Sequence, residues 1–121
     1  MSTRATVKFF DSEEKCLLSV YVHHDGYVGG TCGLGLRLNS LFKRYKMEAD
    51  GISDLALLFV KDYKDGPMDM YATTPQDTQE YNYEMYADDK ERLAKIKVIY
   101  RGTDIFEGNP DEFDDYATWD R

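Results

Sequence analysis

The sequence predicts an α+β domain in which about five mainly antiparallel strands carry two to three helices on one face, in the order ββααβββα. Three observations predict it. Short runs rich in β-branched and aromatic residues, alternating apolar with polar, recur toward both ends of the chain. A longer stretch between them repeats its leucines at helical spacing. Strands grouped before and after the helices, rather than alternating with them, favour antiparallel pairing with the helices segregated. The 121 residues fit a single domain, residues 1–121. A chain of this size buries roughly two-thirds of its unfolded surface, so its stability requires neither disulfide nor metal.

Ala5–Phe10 reads as the first strand and Cys16–His23 as the second, with Leu18, Val20 and Val22 on one face. The polar turn Asp11–Lys15 between them implies a hairpin. A glycine-rich stretch, Asp25–Gly35, leads into a helix from about Leu34 to Met47. Leu34, Leu38, Leu41, Phe42 and Tyr45 form its apolar stripe. Its basic end suits the negative end of the helix dipole. After a loop at Glu48–Gly51, a second helix over Asp54–Lys64 has Ser53 or Asp54 as cap, and Leu55, Leu58 and Phe59 facing inward. A strand over Leu57–Tyr63 is the competing reading of that apolar run.

Met68–Ala72 reads as the third strand, followed by a turn around Pro75. Glu80–Ala87 is the fourth strand, with Tyr81, Tyr83 and Met85 on one face and Tyr86 on the other. Lys95–Tyr100 is the fifth, placing Glu80 and Glu84 opposite Lys95 and Lys97. Gly102 ends that strand. Asn109-Pro110 resembles an N-cap followed by proline at the first helical position, opening a short helix over Pro110–Tyr116 with Phe113, Tyr116 and Ala117 inward.

Net charge is −8, divided as +3 over residues 1–47 and −11 over residues 48–121. That balance disfavours direct binding to nucleic acid, which needs clustered Lys and Arg. It favours basic partners. The longest apolar run, Leu55–Val60, is far too short for a membrane span, and the opening MSTRATVKFF has no apolar leader core. The expected location is therefore the cytoplasm. Cys16 and Cys32 are too few for a disulfide framework and are expected as free thiols.

Gly29, Gly30 and Gly33, with Tyr27, form the candidate ligand site. Glycines between a strand and a helix let backbone N–H groups approach a phosphate. The spacing matches neither the P-loop nor the dinucleotide fingerprint, and positive φ angles are the simpler reason for glycine. His23, His24 and Cys32 adjoin this loop. Adjacent histidines at a strand end point to opposite sides, so neither a metal site nor a Cys–His nucleophile is expected, and no cofactor or catalytic residue is assigned. The candidate partner-binding surface is Asp111, Glu112, Asp114, Asp115, Tyr116 and Trp119. Seven carboxylates between Gly102 and Asp120 interleave there with aromatics and with no Lys or Arg.

Ser2-Thr3-Arg4-Ala5-Thr6, the Asp25-Gly26-Tyr27 loop with Gly30, the strand Glu80-Tyr81-Asn82-Tyr83-Glu84 and the ending Phe106-Glu107-Gly108-Asn109-Pro110-Asp111-Glu112 together resemble a family of small bacteriophage-type proteins. The resemblance spans most of the chain and departs at His23-His24. It transfers no catalytic residue. What it implies is a non-enzymatic accessory protein, acting in the host cytoplasm, that binds and inhibits or modulates a host protein with a basic surface, such as a defence or nucleic-acid-handling factor. A second copy of the chain is a further candidate partner. The alternative is a small-ligand binder holding a nucleotide at the glycine-rich loop.

Overall fold

The computed structural model describes residues 3–46 and 50–119. Its elements are β1 (Ala5–Phe10), β2 (Cys16–Val22), α1 (Leu34–Arg44), α2 (Ile52–Tyr63), β3 (Met70–Ala72), β4 (Tyr81–Ala87), β5 (Leu93–Tyr100), β6 (Thr103–Gly108) and α3 (Pro110–Thr118). The chain is α+β as expected, but the sheet has six strands in the order β3-β2-β1-β4-β5-β6 and is mixed. β1 and β4 run parallel, Ala5 beside Tyr81 through Phe10 beside Tyr86. The other four pairings are antiparallel.

One core joins the sheet to the three helices. The inward residues of β1, β2, β4 and β5 (Val7, Phe9, Val20, Val22, Tyr83, Met85, Ile96, Val98) pack with Leu34, Leu38, Leu41 and Phe42 of α1, Leu55 and Phe59 of α2, and Phe113 and Ala117 of α3. The leucine stripe is thus the buried face of α1. Tyr45 packs half-buried at its end, and Met47 lies outside the described residues. α2 is a helix across the whole ambiguous run.

Ser53 and Asp54 do not cap α2. It begins two residues earlier, with Gly51 as N-cap, and the Ile52 amide donates to the Glu91 carbonyl at 2.7 Å. A backbone acceptor from a distant turn has taken the cap's role. Asp54 instead accepts from the Asp50 amide at 3.1 Å. The third strand is shorter than expected, because the amides of His23 and His24 bond the Met68 carbonyl outside the ladder. Across β4 and β5, Glu84 does stand opposite Lys97, whereas Lys95 stands opposite Tyr86. The lysines pair with β6 instead: Lys97 with Asp104 at 3.3 Å and Lys95 with Glu107 at 3.9 Å. Glu80 pairs with Arg101 at 3.3 Å.

The face away from the helices is partly covered by the connection from β3 to β4. Residues 73–80 pass over β2 and β1. The Ser19 hydroxyl donates to the Thr74 carbonyl at 3.1 Å, and the Lys8 ammonium donates to the Asp77 carbonyl at 2.7 Å. Asn82 bonds Thr6 and both backbone groups of Gln79. This crossing makes Thr6, Lys8, Ser19 and Asn82 the buried polar set of the outer face.

Candidate functional site

The glycine-rich loop is fastened at both ends. Gly26 donates to the Thr3 carbonyl at 2.8 Å and accepts from the Tyr83 hydroxyl at 2.7 Å. A side chain at Gly26 would meet Ala5 and Thr3 at 2.7 Å. At the start of α1, the amides of Leu34, Gly35 and Leu36 donate to the carbonyls of Asp25, Tyr27 and Val28 at 2.8, 3.4 and 3.0 Å. The N–H groups that a phosphate cradle would use are therefore spent on the loop's own backbone. That explains why Gly33 needs no side-chain cap. Gly33 is glycine for space: a Cβ there would lie 2.0 Å from the Gly29 carbonyl oxygen. Gly30 combines a positive φ of 72° with the Tyr27 ring 3.2 Å from where its Cβ would be.

The carboxylates of α3 divide into different tasks. Asn109 and Glu112 form a reciprocal capping box, the Glu112 amide donating to the Asn109 side chain at 2.8 Å and the Asn109 amide to the Glu112 carboxylate at 2.9 Å. Asp114 accepts from Asn39 at 2.7 Å and pairs with Lys43 at 3.1 Å, and these two contacts hold its carboxyl below the usual range. Asp111 stands 4.0 Å from Lys46. Asp115 is exposed and has no side-chain partner among the described residues. Tyr116 stacks on Phe106 at 4.6 Å, and Trp119 is 72% exposed. At ~100° per residue, Asp111, Asp115 and Trp119 share one outward ridge, while Asp114 turns to α1 and Tyr116 to β6.

A cleft of about 400 Å³ brings three of the four predicted loop residues together with one residue, Tyr116, of the predicted α3 surface. Tyr27, Gly29 and Gly30 of the loop face Tyr116 of α3, and Tyr81 of β4 and Ile105 of β6 complete the lining with Val28. Tyr81 and Ile105 escaped the sequence reading as site residues. No Lys or Arg is among the described residues that line the cleft. Burial first, then the neighbouring Asp25 carboxylate, raises the Tyr27 phenol; burial first, then Tyr100 and Glu80, raises that of Tyr81. Gly33 does not line the cleft, nor do Asp111, Glu112, Asp114, Asp115 and Trp119.

A larger groove, about 550 Å³, runs between α1, the starts of α2 and α3, and β5. Its charges largely answer one another, Lys43 with Asp114 and Lys46 with Asp111. The His23 and His24 rings do not diverge as expected but meet edge to face at 4.6 Å, and His23 Nδ1 lies 2.7 Å from the Tyr21 hydroxyl. Cys32 is exposed and Cys16 half-buried, both as free thiols. Among the described residues no three His, Cys, Asp or Glu side chains are placed to share a metal. No helix among them is long and apolar enough to cross a membrane.

These features define a small α+β domain with an aromatic cleft beside an acidic helix. No family model, no curated protein and no solved structure matches the chain.

Proposed function

We propose that this chain is a non-enzymatic, phage-type accessory protein that binds a host protein through a basic surface on that partner and inhibits or modulates it. The observation that carries the reading is Asp115 beside Trp119. Asp115 places a charge that has no side-chain partner among the described residues near the C-terminal, negative end of α3, where the helix's own field opposes it. Trp119 leaves most of an indole in water. Neither arrangement serves the fold. Both suit an interface in which charge speeds encounter and an aromatic anchor is desolvated on binding.

The test is capture of a partner from host lysate by the tagged chain, compared with Asp115→Asn and Trp119→Ala. The expected result is one salt-sensitive partner that both variants lose while keeping their thermal unfolding. Capture of the same proteins by all three chains, or of none by the native chain, would sink the reading.

A nucleotide-binding reading draws support from the tyrosine-lined cleft, where a base could stack. The spent α1 amides and the absence of a lining cation weigh against phosphate. A thermal shift with a nucleotide panel tests it, since a ligand present far above its Kd stabilises by several kcal/mol.

A further inference from the structure

We propose that the cleft between Tyr27, Tyr81, Ile105 and Tyr116 receives an arginine side chain of the partner, with its guanidinium against the tyrosine rings. This rests on the interaction reading above and gives it a point of recognition. Three tyrosines from three separate elements, the loop before α1, β4 and α3, converge on one opening. The Gly29-Gly30 backbone keeps that opening clear, for a Cβ on Gly30 would press on the Tyr27 ring.

Three tyrosines elsewhere already carry a cation of this chain. Arg44 lies 5.5 Å from the Tyr45 centroid, Lys95 4.7 Å from that of Tyr86 and Arg101 5.2 Å from that of Tyr100. Among the described residues, no cation lies over Tyr27 or Tyr81. Arg37 pairs with Asp25 at 3.8 Å and Arg101 with Glu80 at 3.3 Å.

Tyrosine faces attract cations, and the attraction grows with desolvation. A guanidinium fits better than an ammonium because it is planar, weakly hydrated and stacks on rings. The surrounding charge agrees. The chain carries −8, and Asp25 and Glu80 adjoin the tyrosines of the lining. A phosphate-bearing ligand would find no cation among the described residues that line the cleft.

The test is an amide NMR titration of the full chain with acetyl-Gly-Arg-Gly-amide and with its citrulline counterpart, which keeps the shape and loses the charge. The expected result is saturable shifts at Gly29, Gly30 and Ile105, with citrulline about fivefold weaker or more. Ile105→Arg, which supplies a guanidinium from the exposed edge strand, is expected to abolish the shifts; Trp119→Ala is expected to leave them. The peptide comparison needs no variant to fold. Equal shifts with citrulline, shifts spread over the α3 carboxylates instead of the cleft, or tighter binding of tetramethylammonium than of the arginine peptide would each overturn the proposal. If the arginine peptide shifts nothing while partner capture still depends on Asp115 and Trp119, this inference falls and the interaction reading stands. If the peptide binds as expected and no partner is captured, it is the interaction reading that falls.

Discussion

Tyr83 on β4 donates its hydroxyl to the carbonyl of Gly26 at 2.7 Å, tying the centre of the sheet to the first turn of the glycine-rich loop. Both residues are buried. Tyr83→Phe would keep the ring and strand the Gly26 acceptor without a donor. The expected cost is about 1–3 kcal/mol in urea unfolding, the penalty of an unsatisfied buried group. An effect near zero would mean that water reaches that carbonyl.

The same burial sets an alkaline limit. It raises the Tyr83 phenol well above its ordinary value, and burial also comes first in raising Tyr86, whose hydroxyl donates to Glu84. An unfolded tyrosine ionises near pH 10. Above that pH the unfolded chain loses protons that the folded chain keeps, so stability falls as pH rises. It is full below about pH 10 and declines toward the raised folded values. Ultraviolet titration should show Tyr83 ionising only together with loss of near-ultraviolet circular dichroism. Smooth ionisation of all ten tyrosines in a still-folded chain would contradict this.

Gly33→Ala and Gly102→Ala should both lose stability, but for different reasons that asparagine tells apart. Gly33→Ala would drive a Cβ into the Gly29 carbonyl, which is backbone and has little room to give. A loss of about 1–3 kcal/mol or more is expected. Gly102 has a φ of 83° and nothing within 4 Å of its would-be Cβ, so Gly102→Ala carries only the left-handed strain, about 1–2 kcal/mol. Asparagine, which tolerates that conformation, should recover part of the loss at 102 and none at 33.

Gly102 ends β5 as the sequence predicts, but the chain does not then run on to α3 as a loop: Arg101 and Gly102, with φ of 50° and 83°, form a two-residue hairpin turn that returns it into β6, a strand the sequence reading lacks. A two-residue turn ending in glycine is a hairpin signal. Here it was masked because Asp104, Glu107 and Gly108 dilute the β character of the run that follows. The helices were legible because their signal is local: the stripe from Leu34 to Phe42 repeats within eleven residues of α1. The parallel pairing of β1 with β4 was not, since partner choice between strands more than seventy residues apart leaves no local mark. The cleft inherits both difficulties. Tyr81 reaches it through the β1–β4 pairing and Ile105 through the missed strand, whereas Tyr27 and Tyr116 could be singled out from their own segments.

Asp114 and Asp115 are neighbours that should separate stability from binding. Asp114 faces α1 and accepts from Asn39 while pairing with Lys43, so Asp114→Asn removes a charged acceptor and should destabilise modestly. Asp115 has no such partners, and its charge lies toward the negative end of α3. Asp115→Asn should therefore leave stability unchanged or raise it by about 0.3–1 kcal/mol. Partner binding should follow the reverse order. Asp115→Asn is expected to weaken it and to flatten its dependence on salt between about 50 and 300 mM, since exposed charges are screened across that range. Asp114→Asn should leave the salt dependence in place. Urea unfolding and salt-titrated capture on the two variants give four measurements. A destabilised Asp115→Asn chain would mean that the carboxylate has a structural task within the fold. Unchanged binding and salt response in that variant would remove the outward ridge of α3 from the interface.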